Sequence, residues 1–175
     1  MFPWDKKPTF TDEHFEDDQV VGLYKSLRSS DEVKNKSETE FWSRIFMIAC
    51  LSHSQRDSIS KKLRTLKGFK ESTPIAVDTI EHLHDMERDV CLVDFAVFNS
   101  KQIEEDSNKI FNPQNLVTFF SRGKRCILFI SVHVLTAWNS GAIMEVEKWA
   151  QGLKILRDVV INAERQGCLF RIPPP

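Results

Sequence analysis

Hydrophobic and polar positions divide this 175-residue chain into two halves of different character. The first half carries helical spacings. "QVVGLYKSL" reads as a short helix, followed by a polar linker, "RSSDEVKNK". "SETEFWSRIFMIACLSH" opens with Ser37 and Glu40 at capping-box spacing, so a helix is expected from there. Its middle, residues 41–51, is apolar on nearly every side and must be covered all round, by the protein's own core or by a partner chain. "SQRDSISKKLRTLKGFK" is different. Ile59, Leu63, Leu66 and Phe69 recur at helical spacing, and Gly68 stands where a C-terminal cap fits. "TPIAVDTIEHLHDMERDV" fits a further helix, with Thr73 as its cap and Pro74 at the first position.

The second half switches period. "DVCLVDFAVF" (89–98) and "RCILFISVHVL" (125–135) are Val-, Ile- and Phe-rich runs that suit buried strands. "SKQIEEDSNKIF" and "NPQNLVTFFSR" read as helices between them. A long helix is expected over 142–164, broken by Gly167, with "CLFRI" as a last strand. Strand, helices, strand, helix, strand implies parallel pairing through right-handed crossovers. The fold class is therefore mixed α/β. It has a helix-rich N-terminal half, and a small, mainly parallel sheet with a long helix in the C-terminal half. Residues 1–18 lack a sustained period and carry "TDEHFEDD"; they read as a flexible acidic arm ahead of one globular domain, 19–175.

Composition narrows the class. The chain is 41% hydrophobic and 28% charged, as a globular protein is. A net charge of -1 gives no global attraction to nucleic acid or anionic membrane, so such a partner must meet a local patch. The N-terminus lacks the apolar core of a secretory signal, and the longest apolar run, 126–138, is too short to span a bilayer. An intracellular protein of the cytoplasm or nucleus, without a transmembrane segment, is expected. Cys50, Cys91, Cys126 and Cys168 stand far apart in apolar surroundings and read as buried, reduced thiols.

Candidate chemistry is sparse. On a regular helix Asp78, His82, Asp85 and Asp89 line up while His84 falls elsewhere. That stripe is a metal candidate only if a second element closes the coordination sphere, and a solvated helix face is the expectation. No metal or other cofactor is expected. The carboxyl ends of the presumed strands, where open α/β sheets bind ligands, carry "FNSK" and "AWNSGA". A hydrolase-type site there would use Asn99, Ser100, His133, Asn139 and Ser140. No Gly-rich nucleotide loop or nucleophile elbow is present. "ILFISVHVLTAW", a long helix and "CLFRIPPP" are similar in rhythm to the closing segments of GDSL/SGNH-type esterases. Asp78 and Thr79 of "AVDTIEH" would stand where that family has Asp and Ser. The family's glycine is absent, as is its late Asp-x-x-His, so the resemblance implies a degenerate, inactive relative.

The densest positive charge lies at 55–70, where Arg56, Lys61, Lys62, Arg64, Lys67 and Lys70 face Asp57 alone. Such a helix suits phosphate backbones, and it equally suits the acidic arm as an internal clasp. The expected function is a non-enzymatic interaction or assembly module, acting through a protein partner or self-association, with RNA or DNA phosphates as a further expected partner of the basic helix.

Overall fold

The computed structural model describes residues 15–66, 69–70, 72–83, 85–95, 100–130, 134 and 147–168. Four strands, β1 (Phe46–Cys50), β2 (Val77–Thr79), β3 (Arg88–Phe95) and β4 (Gly123–Ile130), form one sheet in the order β2-β1-β3-β4. Every neighbouring pair is parallel. Among the described residues six helices accompany it: α1 (Phe15–Arg28), α2 (Glu38–Glu40), α3 (His53–Arg64), α4 (Ser100–Ile110), α5 (Pro113–Ser121) and α6 (Glu147–Arg165). The mixed α/β class with a parallel sheet is what the residue pattern predicts.

Two expected helices are strands instead. After Ser37, whose hydroxyl accepts the Glu40 N–H at 3.1 Å, the chain makes only α2 and a π-helical turn, Phe41–Ile45. It then extends as β1, "FMIAC", buried at all five positions. A central parallel strand is covered on both faces, so it is as uniformly apolar as a fully buried helix, and periodicity cannot separate the two. The helix expected over 74–90 is absent for a different reason. Ala76 accepts the Ile48 N–H at 2.8 Å, which draws the segment onto β1. β2 follows, then a 3₁₀ turn, Ile80–His82, and then β3. Sheet pairing overrides the helical spacing there.

The elements expected downstream are present: β3 over "DVCLVDF", α4, α5 with Asn112 as cap, β4, and α6. Gly167, at φ 67°, ends α6, with the Cys168 N–H closing on the Ala163 carbonyl at 2.8 Å. The presumed strand 168–172 lies outside the described residues beyond Cys168, as do residues 1–14 of the acidic arm. Residues 15–18 of that arm open α1.

The crossover from β1 to β2 runs one way across the sheet and that from β3 to β4 runs the other. Right-handed connections then place α3 on one face and α4 and α5 on the opposite face. The contacts agree: α1 packs on α3, while α4, α5 and α6 pack together. On the first face Phe46 meets Phe41 and Trp42, and Tyr24 of α1 stacks on Trp42 at 5.5 Å. On the second, Phe95 meets Phe119 of α5 edge-on at 5.2 Å. Gly152 allows α6 to approach the α4–α5 turn, since a Cβ there would collide with the Phe111 carbonyl oxygen.

Candidate functional site

α3 leaves the carboxyl end of β1 directly, and a reciprocal cap fixes its first turn. The Ser52 hydroxyl accepts the Gln55 N–H at 3.2 Å, and the Gln55 side-chain oxygen accepts the Leu51 N–H at 2.9 Å. Ile59 and Leu63 are fully buried, which turns the rest of the helix outward. Its basic residues then divide. Arg56 bonds Asp57 at 2.8 Å and lies 3.6 Å from Asp78 of β2. Lys62 bonds Asp18 of α1 at 2.7 Å. Lys61, Arg64 and Lys70 are exposed. α3 ends at Arg64, with Thr65 as its C-cap, so the regular basic helix is shorter than the expected 55–70. Its C-terminal aromatic and aliphatic positions, Leu66 and Phe69, continue as turns, and Lys67 and Gly68 lie outside the described residues.

Among the described residues, the clasp expected between acidic arm and basic helix is seen in the pair Asp18 and Lys62. Cations that are already neutralised attract a partner less strongly. The positive surface is therefore narrower than six cations against one acid suggests.

A second polar group gathers beyond the carboxyl ends of β1 and β2. His82 Nδ1 and Asp78 Oδ1 lie 3.1 Å apart, and the Thr79 N–H donates to the same oxygen at 2.8 Å. The His53 and His82 rings lie 5.8 Å apart. Burial works to raise the Asp78 pKa, but the His82 bond, the Thr79 N–H and the nearby His82 and Arg56 charges outweigh it and hold the carboxyl below its ordinary 3.8. Glu81 is likewise held low against its burial, by the Glu81 backbone and Thr79 bonds and by Lys109 and His53. A carboxylate holding one imidazole nitrogen orients the ring and leaves the other nitrogen to act.

The metal stripe does not form, because the segment that would carry it is not a helix. Asp78 is level with Val93 across the sheet, and Asp89 lies four residues earlier on β3, about 13 Å along the strand direction. Asp89 instead bonds Lys124 at 2.6 Å, and Asp85 is exposed. Among the described residues no three His, Cys, Asp or Glu side chains come together to hold a metal. His84 is outside the described residues. So are Asn99, His133, Asn139 and Ser140 of the hydrolase candidate, while Ser100 opens α4.

Two features escaped the sequence reading. Ser52 and His53, the hinge between β1 and α3, were hidden once β1 was taken for helix. Asp94, 1% exposed near the carboxyl end of β3, is in register with Cys50, which is in register with Thr79. The three form a row on the α3 face of the sheet. Its signal was legible: an acid inside the otherwise apolar run "CLVDFAVF". No known protein family and no curated protein sequence matches the chain. Among the described residues no helix is long and apolar enough to cross a membrane.

Proposed function

We propose that this chain is a non-enzymatic intracellular interaction module that holds nucleic-acid phosphates through the solvent face of α3. The observation that carries the reading is the orientation of α3. Ile59 and Leu63 anchor it in the core, while Lys61 and Arg64, one turn apart, face solvent with Lys70 beyond them. A rigid helix presenting cations at that spacing positions a phosphate backbone without reading sequence. Among the described residues the one large apolar side chain that is exposed is Val117, so the surface beside α3 is read as a phosphate contact and not as a stacking platform. Binding should be weak and sequence-tolerant. The test is fluorescence anisotropy with labelled duplex DNA and single-stranded RNA, comparing the protein with its Lys61→Glu/Arg64→Glu variant. Loss of binding in the variant supports the reading. Equal binding by both overturns it, and failure of both to bind sends the search to a protein partner or a second copy.

A hydrolase-type enzyme is the second reading, favoured by the Asp78–His82 pair beside His53 at the carboxyl edge of the sheet. It predicts turnover of a p-nitrophenyl ester that falls about a hundredfold or more in His82→Ala, the lower end of what a general base contributes. An unchanged rate in that variant removes it.

A further inference from the structure

Two exposed histidines meet from different elements. His53 is the first residue of α3, and His82 closes the 3₁₀ turn that follows β2. Their rings lie 5.8 Å apart and both residues are exposed. Each has a carboxylate beside it. Asp78 Oδ1 lies 3.1 Å from His82 Nδ1. An ionised carboxylate accepts and cannot donate, so Nδ1 carries the hydrogen and Nε2 is left as a base. Glu81 is close enough to His53 to feel the imidazole charge, and Lys109 acts on the same carboxylate. Arg56 stands 3.6 Å from Asp78 while bonding Asp57.

The helix that carries His53 also carries the outward cations, Lys61 and Arg64. At the helical turn of 3.6 residues, His53, Lys61 and Arg64 fall within an arc of about 80°, with Arg64 about 20° from the histidine. Lys61 stands about 12 Å along the axis from His53. An anionic strand held by those cations is thereby led to the imidazole pair. What two imidazoles can do to a phosphodiester then depends on the sugar. A ribose sets a 2′-hydroxyl beside the phosphate, and a deoxyribose does not.

We propose that His82 and His53 cleave single-stranded RNA, as base and acid of a transphosphorylation. The inference rests on the hydrolase-type reading of the Asp78–His82 pair and keeps the α3 phosphate contact of the first reading. It adds the acid partner and the substrate class. His82 Nε2 removes the proton from a ribose 2′-hydroxyl, and that oxygen forms a bond to the adjacent phosphorus. The bond from phosphorus to the 5′-oxygen breaks, and protonated His53 gives its proton to the leaving oxygen. The products are a 2′,3′-cyclic phosphate and a 5′-hydroxyl. Proton exchange with solvent resets both imidazoles, and the balance needs no co-reactant. Asp78 is a positioning residue that acts through His82.

The test incubates the whole protein with a fluorescent single-stranded oligoribonucleotide, its 2′-O-methyl analogue and the same sequence in DNA. Products are mapped by mass spectrometry. The RNA alone should be cut, leaving 2′,3′-cyclic phosphate ends. His53→Ala and His82→Ala, purified identically, should each slow cleavage about a hundredfold or more. Their melting curves should match the unsubstituted protein, since both residues are exposed. Asp78→Asn should lower kcat and leave KM level, a split that lost folding does not give. Uncut RNA, cutting of the 2′-O-methyl strand or the DNA, or a rate that either histidine variant keeps overturns the proposal. Turnover of the p-nitrophenyl ester with the RNA left intact also overturns it, and leaves the hydrolase-type reading standing.

Discussion

At the scale of single residues, two ionic contacts do different work. Arg28 bonds Glu38 at 2.6 Å, donates to the Val33 and Lys36 carbonyls, and lies over the Phe41 ring. It thereby ties the α1–α2 connection to the aromatic cluster. Tyr24 donates to the same carboxylate at 3.0 Å; burial, then Glu38, raise its pKa and keep it a donor. Arg28→Ala leaves Glu38 Oε1 and two carbonyls without the Arg28 donor, and we expect a loss of about 2–3 kcal/mol in urea unfolding. Asp78 acts through pH. Its folded pKa lies below its ordinary 3.8, so its contribution is complete above that value and is lost as pH falls through the folded one. The stability gap between the protein and Asp78→Asn should be level at neutral pH and close below 3.8, as followed by acid unfolding. The cap at Ser37 was readable because S-x-x-E is local. The Asp78–His82 contact was anticipated only as two positions of a helix stripe, since the true path is strand then 3₁₀ turn.

Among the elements, legibility followed how much each depends on distant partners. β3, α4, α5, β4 and α6 announced themselves: Asn112-Pro113 starts α5, Gly167 stops α6, and their apolar spacings are unambiguous. β1 and β2 did not. β1 is apolar at every position because β2, β3 and both helical layers cover it, and that coverage is a property of the fold. Ile48, fully buried at its centre, should cost about 2–5 kcal/mol when replaced by Ala, measured by chemical unfolding. α6 carries a second test. Gly152→Ala pushes a methyl group against the Phe111 backbone, so helix or turn must shift, and a loss of about 1–3 kcal/mol is expected. An unchanged melting temperature would mean that α6 does not seat there.

For the whole molecule, the near-neutral net charge of -1 conceals a local arrangement. α1 lies on α3 and places Asp18 against Lys62, so α1 subtracts from the surface that α3 presents. Residue counting found the cations and named the clasp, but the split between half-buried and exposed side chains needed the three-dimensional arrangement. The proposed function makes that split measurable. Asp18→Asn removes one carboxylate from beside Lys62 and should strengthen duplex binding. It should also steepen the dependence of log K on log salt by about 0.9, the contribution of one added phosphate contact. The most direct measurement is that slope for the unsubstituted protein, by anisotropy on duplex DNA over a range of salt concentrations. Contacts from Lys61, Arg64 and Lys70 predict a slope of about −2.7, falling to about −0.9 in Lys61→Glu/Arg64→Glu. A slope near zero, or one that the variant leaves unchanged, would contradict the account.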